Sequence, residues 1–158
     1  MRLRFATVTA LLMSALAPRE ALADATLFIG ATTTPASRQA RGFAVGVTLL
    51  IVGIEFEYSS TVEDAAENAP SLRTGMGNLL VQAPFGDVQP YATVGAGLYR
   101  ERLAAAAETH AGVNLGGGVK IALAGPLRLR LDYRVFTLRG SPRHRTPQRI
   151  YAGLNLAF

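Results

Sequence analysis

Side chains that could carry out catalysis are few in this sequence. The chain has two histidines, His110 and His144, and no cysteine. A nucleophilic hydroxyl needs a base within hydrogen-bond reach and an acid that orients the base. Ser141 is the serine nearest to His144, and no Asp or Glu lies close to either in the sequence. We therefore predict no catalytic residue, no metal site and no cofactor.

Three Gly-x-Gly pairs, at 75–77, 95–97 and 116–118, resemble fragments of phosphate-binding loops. No Lys-Ser or Lys-Thr follows them, and no strand–turn–helix pattern surrounds them, as such a loop requires. Glycine at every second position of a strand instead lets the backbone bend and lets bulky neighbours pack closely. These pairs are interpreted as structural.

Charged residues occur in a regular alternation with apolar ones. Along residues 127–135 every second side chain is apolar, and residues 54–59 repeat this period. Period two is typical of a strand with two unlike faces. The charged positions of these two segments are Glu55, Glu57, Arg128, Arg130, Asp132 and Arg134.

The same period extends through most of the chain and predicts eight strands. We place them at 25–34, 41–50, 53–60, 72–83, 89–101, 110–123, 127–138 and 148–158. Most are longer than the strand of about 5–6 residues that is usual in globular proteins. Tilted strands of about 9–11 residues are what a bilayer core requires.

The predicted connections alternate between short and long. The short ones are 51–52, 84–88 and 124–126, and the long ones are 35–40, 61–71, 102–109 and 139–147. An up-and-down barrel must place the two sets at opposite rims, as outer-membrane barrels do with short periplasmic turns and longer external loops.

Residues 1–23 have the features of a secretory signal peptide. Arg2 and Arg4 precede an apolar run that is too short to span a bilayer, and Ala21-Leu22-Ala23 offers a cleavage site. Cleavage would leave the barrel domain, 24–158. The net charge of +5 would fall to +3, with 13 basic and 10 acidic residues left. We expect no nucleic-acid partner for such an exported chain.

Two kinds of barrel fit the alternation, and they differ in whether the polar face of the sheet lines the lumen or lies on the outside. An Arg that points into lipid at mid-depth costs about 2–4 kcal/mol, so in a membrane barrel the charges must face the lumen. The third and seventh of eight strands face each other across a ring that side chains just fill. We predict that Glu55 and Glu57 pair there with Arg128, Arg130 and Arg134, beside Asp132, and plug the lower half of the barrel. A soluble, lipocalin-like barrel is the alternative.

Four segments carry a resemblance to a known family: DVQPYATVGAGLY at 87–99, GVNLGGGVK at 112–120, LRLRLDYRVF at 127–136 and YAGLNLAF at 151–158. The mature chain resembles the small outer-membrane β-barrel proteins of the OmpA-barrel/OmpX-like, porin-family type. The resemblance implies an all-β, eight-stranded antiparallel up-and-down transmembrane β-barrel in the cell outer membrane. Trp, usual in the aromatic girdles of such barrels, is absent, so Tyr58, Tyr91, Tyr99 and Tyr133 would have to form them.

The resemblance also implies a C-terminal assembly signal. A terminal Phe with apolar residues at every second position before it is read by the outer-membrane insertion machinery, and periplasmic chaperones accompany the chain. The residues assigned to the signal are Tyr151, Leu154, Leu156 and Phe158.

The last long loop is strongly basic. Arg139, Arg143 and Arg145 would lie at the external rim, where lipopolysaccharide phosphates are the nearest anions. Arginine binds phosphate through paired hydrogen bonds. We predict that these three residues contact lipopolysaccharide.

Together these patterns predict a non-enzymatic integral outer-membrane barrel with a structural or surface-interaction role, embedded in outer-membrane lipids as a monomer. A narrow channel for small solutes and an outer-membrane lipid-modifying enzyme remain as further alternatives.

Overall fold

Eight antiparallel strands form a closed barrel in the computed structural model, which describes residues 22–103 and 106–158. Each strand pairs with the next along the chain, and the last pairs with the first. The strands are β1, Leu22–Thr32; β2, Arg38–Leu49; β3, Val52–Thr61; β4, Ser71–Gln82; β5, Val88–Leu103; β6, Ala106–Ala124; β7, Leu127–Leu138; and β8, Gln148–Ala157. The predicted fold class is confirmed.

The predicted signal peptide lies almost wholly outside the described residues. Its last two residues, Leu22 and Ala23, form the start of β1. Within the described residues, no helix is long and apolar enough to cross a membrane.

The connections are mostly shorter at one rim than at the other, with two departures from the predicted alternation. The rim at which Leu22 and Phe158 lie has turns at 50–51, 83–87 and 125–126, and the other rim has loops at 33–37, 62–70 and 139–147. The loop 33–37 is no longer than the turn 83–87, so the predicted difference in length between these two connections is wrong. The predicted loop 102–109 is wrong, because β5 and β6 stay paired as far as Leu103 and Ala106. This stretch is mostly alanine and shows no alternation in the sequence, yet backbone pairing does not need alternating side chains.

The outer wall of the barrel is apolar and the interior is polar. On β7, Leu131 is 41% exposed on the outside, whereas Arg130 and Arg134 are fully buried inside. Apolar side chains such as Leu27, Ile54 and Leu154 lie exposed on other strands in the same way. The orientation expected of a membrane barrel is confirmed, and the soluble alternative would require the reverse.

An apolar cluster fills part of the lumen beside the polar side chains. It consists of Leu72, Met76, Tyr99, Phe136 and Leu138, all buried. Two of these side chains come from β4 and two from β7, with Tyr99 from β5 between them. The sequence did not predict this cluster, because β4 and β5 alternate weakly.

The predicted tyrosine girdle is wrong for two of its four members. Tyr133 is exposed on the outer wall and Tyr58 is half-buried. Tyr91 and Tyr99 point inward and are buried, because they share the inner face of β5 with Thr93. A buried tyrosine hydroxyl needs a hydrogen-bond partner. Tyr91 finds one in the lumen, and Tyr99 finds one in the backbone of the loop 139–147.

Candidate functional site

The lumen holds a compact group of six ionised side chains, which we call the charge network. Alternation along β3 and β7 directs its members inward, and β8 adds one more. They are Glu55, Glu57, Arg130, Asp132, Arg134 and Arg149.

Arg130 and Arg134 connect β7 with β3 across the lumen. One Arg130 nitrogen, Nη1, lies 2.5 Å from Glu55 Oε2, and its Nη2 lies 3.2 Å from Asp132 Oδ2. Arg134 Nη2 lies 3.0 Å from Glu55 Oε1 and 3.1 Å from Glu57 Oε2. Its Nε donates to Asp132 Oδ1 at 2.9 Å. Glu55 and Asp132 are therefore each shared by the two arginines.

Arg149 extends the charge network to β8. Its guanidinium pairs with Glu57 and donates to the Ser59 hydroxyl. It also lies 4.7 Å from the centroid of the Phe136 ring, which belongs to the apolar cluster. The polar and apolar parts of the lumen are thus packed against each other.

The charge network is electrically balanced, with three arginines and three carboxylates. Removing charges from water costs several kcal/mol per ion, and only well-formed pairs with further hydrogen bonds offset that penalty. Because its net charge is zero, such a network does not attract an ion that enters the lumen.

Two tyrosines add hydrogen bonds to the charge network. Tyr91 donates its hydroxyl hydrogen to Asp132 and accepts from Arg130 Nε at 2.7 Å. Tyr151 donates to Glu57 Oε2 at 3.2 Å. Both were assigned other roles from the sequence, although their position on the inner face follows from counting along β5 and β8.

Gly118 makes room for Tyr91. A Cβ at this position would lie 2.6 Å from the Tyr91 hydroxyl and 2.1 Å from the Leu131 carbonyl oxygen. Only glycine permits this close approach of the ring, which accounts for one of the Gly-x-Gly pairs in structural terms.

A second buried ion pair lies nearer the short turns. Lys120 Nζ lies 2.6 Å from Asp24 Oδ2, and both side chains are almost fully buried. The partners are 96 residues apart in the chain. The pair was not foreseen, because the face of β1 was not assigned from its sequence.

The structure brings together five of the six residues predicted for the lumen: Glu55, Glu57, Arg130, Asp132 and Arg134. It does not bring Arg128 among them, and the prediction is wrong for this residue. Arg128 is half-buried beside the turn at 125–126 and donates to Gln89 Oε1 at 3.0 Å. It stands too close to the rim to reach the carboxylates of β3. The charge network was predicted to lie in the half of the barrel nearer the short turns, but it extends beyond that half. Arg149 is the second residue of β8, counted from the long-loop rim.

The basic loop 139–147 is fixed to the barrel by its backbone. Tyr99 donates its hydroxyl hydrogen to the Arg139 carbonyl at 2.5 Å, and the Arg143 amide donates to Glu101 Oε2 at 3.3 Å. Gly140 has φ +90, and a Cβ there would lie 2.8 Å from the His110 ring. The backbone is held while the side chains of Arg139, Arg143 and Arg145 remain exposed.

The two histidines do not form a nucleophile–base pair in the described part of the chain. His110 Nε2 lies 3.4 Å from Glu108 Oε2 at an exposed position. Neither histidine has a hydrogen bond with a serine or threonine hydroxyl among the described residues. No group of three metal-ligating side chains occurs among them either.

The predicted assembly signal is divided between the two faces of β8. Leu154, Leu156 and Phe158 are exposed on the outer wall, whereas Tyr151 is buried in the lumen. Residue parity places Tyr151 with Arg149 rather than with the leucines, so it is not part of the outer-face pattern.

Almost the whole chain is similar to a known protein family. The model of the outer membrane protein beta-barrel domain family matches residues 8–158. No curated protein sequence matches the chain.

Several solved structures share the fold at low identity. The Neisserial surface protein A is 17% identical with a TM-score of 0.67, covering 87% of this chain and 96% of its own. The outer membrane enzyme PagL is 11% identical with a TM-score of 0.54, covering 84% and 98%. The attachment invasion locus protein Ail of Yersinia pestis, in complex with the heparin analogue sucrose octasulfate, is 11% identical with a TM-score of 0.55, covering 89% and 100%. These likenesses concern the fold alone.

Proposed function

We propose that this chain, which belongs to the outer membrane protein beta-barrel domain family, is a closed, non-conducting barrel without catalytic activity, whose role is structural or lies in surface interactions. It is an outer-membrane protein. The observation that carries the proposal is the filled lumen, in which a charge-balanced network and an apolar cluster lie against each other.

A filled lumen argues against the narrow channel. Eight-stranded barrels have an interior just wide enough for side chains to fill it. Here the large side chains of Arg130, Arg134 and Arg149 are almost fully buried. A solute would have to displace paired charges from one another, and breaking a buried pair leaves an uncompensated charge.

Planar-bilayer recording tests this proposal. We expect the purified protein to produce no discrete conductance steps after insertion. The same preparation should migrate faster on a gel when unheated than when heated, which shows that it is folded. Reproducible steps from folded protein would contradict the closed lumen.

The external rim is where the surface role would be carried out. Arg139, Arg143 and Arg145 project from a loop whose backbone is anchored, so little ordering is needed on binding. We expect these arginines to contact lipopolysaccharide phosphates through charge-assisted hydrogen bonds.

A triple substitution measures this contact. Changing all three arginines to Gln should weaken binding to lipopolysaccharide and reduce its sensitivity to salt. Changing all three to Lys keeps the charge and serves as the matched control. Equal binding by wild type and the Gln variant would exclude the contact.

Assembly would depend on other partners. We expect periplasmic chaperones to deliver the chain and the outer-membrane insertion machinery to read the outer face of β8. Leu154, Leu156 and Phe158 are the residues exposed there.

A further inference from the structure

A second group of arginines lies on the outer wall of the barrel. These residues face away from the lumen on β2, β4 and β5, and we call them the outer-wall arginines: Arg41, Arg73, Arg100 and Arg102. In the described strands no other outward position carries an arginine, and none carries a carboxylate. Positive charge is therefore confined to one side of the wall.

Two of the outer-wall arginines are directly opposed. Arg73 pairs in register with Arg100 across β4 and β5. Like charges directly opposite each other on a sheet are destabilising. An anion bound between them would relieve that repulsion, and arginine can bind phosphate with two parallel hydrogen bonds.

A cleft lies between these side chains. Its volume is about 330 Å³, and it is lined by Glu63, Ser71, Arg73, Arg100 and Arg102. Glu63 is the one carboxylate of this lining, against three arginines. Even where Glu63 offsets one of them, the cleft keeps an excess of two positive charges.

The level of the cleft on the wall indicates its partner. The next outward residue on β5 toward the membrane is Leu98, which is 60% exposed. Phe56 on β3 and Leu79 on β4 continue the apolar wall. On the other side, Arg102 is followed within one residue by the end of β5 at the long-loop rim. The cleft thus stands where acyl chains give way to headgroups.

We propose that Arg73 and Arg100, assisted by Arg102, bind the phosphate groups of lipid A in the external leaflet. The proposal rests on the proposed function only for the side of the membrane on which the long loops lie. Phosphates of a lipid held against the apolar wall would lie between the two opposed guanidinium groups, while its acyl chains pack over Leu98. This site is separate from the basic loop 139–147.

Binding of lipid A to the folded protein in detergent micelles tests the proposal. The affinities of wild type, Arg73→Gln/Arg100→Gln and Arg73→Lys/Arg100→Lys are compared by native mass spectrometry, with lipid A and with dephosphorylated lipid A. We expect the Gln variant to lose about 10-fold in affinity for each arginine removed. Wild type should prefer the phosphorylated lipid by a similar factor. The Lys variant should lie between the two.

Arg128→Gln is the control for a change in net charge, because Arg128 lies at the opposite rim. It should bind lipid A as wild type does, and all variants should keep the folded mobility of unheated protein. Unchanged affinity in the Gln variant, or equal binding of dephosphorylated lipid A by wild type, would overturn the proposal. Conductance through a barrel that still prefers lipid A would instead overturn the proposed function alone.

Discussion

At the scale of single residues, the structure is organised by pairing of buried charges. Arg130 and Arg134 together contact all three carboxylates of the charge network. Glu55 is shared between both arginines. Substituting a residue that pairs with two partners is expected to lower the free energy of unfolding more than substituting a residue with a single partner.

The substitution Glu55→Gln measures this sensitivity. It leaves Arg130 and Arg134 with one fewer carboxylate in a buried site, and losing one partner of a buried pair costs about 3–5 kcal/mol. We expect the free energy of unfolding in lipid vesicles, measured by denaturant titration, to fall by that amount.

Arg128→Gln is the matched control, since it also removes one charge from an inward-facing position. Its partner is the neutral Gln89, so the free energy of unfolding should change by less than about 1 kcal/mol. If both variants lost the same free energy of unfolding, Glu55 in the charge network would contribute no more to stability than Arg128 at the rim.

At the scale of elements, the barrel closes where β1 pairs with β8. Ala23 N–H donates to the Phe158 carbonyl at 2.9 Å, and Phe158 N–H donates back to Ala23 at 2.8 Å. The register of β1 with β8 continues from Asp24↔Ala157 to Thr32↔Arg149. β8 therefore joins the sheet into a ring, because it pairs with both β7 and β1.

Substitution of Phe158 tests whether this residue is part of an assembly signal or is only an exposed aromatic ring. Phe158→Ala should slow insertion by the outer-membrane insertion machinery reconstituted in liposomes, measured by the appearance of heat-modifiable protein. Phe85 is equally exposed, at 70%, but lies in a short turn. Phe85→Ala should insert at the wild-type rate, and equal slowing of both variants would refute a specific role for the C-terminal residue.

The β5–β6 hairpin is the other distinctive element. Its strands have 16 and 19 residues, well beyond the roughly 9–11 that cross a bilayer. Because the pairing continues to Leu103 and Ala106, the hairpin projects as a sheet at the long-loop rim rather than as a loop.

At the scale of the whole molecule, closure leaves the strands of the ring without a free edge, and only the projecting end of the β5–β6 hairpin lies beyond it. An exposed edge strand is a template for pairing with another chain, and a closed barrel abolishes it. We expect the purified protein to be a monomer in detergent, with the mass of one chain by native mass spectrometry. A dimer that survives dilution would show that the outer wall, rather than a strand edge, contacts a second copy.

The sequence by itself determined the number of strands and their order. It also determined which faces of β3, β7 and β8 are polar and which are apolar. Period-two alternation needs only local information, because successive side chains of a strand point to opposite faces. It also supplied most of the charge network, since Glu55, Arg130 and Arg134 stand on clearly alternating segments.

Only the tertiary structure decided which of the inward residues meet. Arg128 and Arg130 look equivalent in the sequence, yet only Arg130 reaches Glu55, because strand tilt and distance from the rim decide contact across the lumen. Asp24 and Lys120 pair across 96 residues through barrel closure, which no local pattern records. The opposed Arg73 and Arg100 likewise depend on the register of β4 with β5. Register and closure are properties of the assembled ring, so no local sequence pattern encodes these contacts.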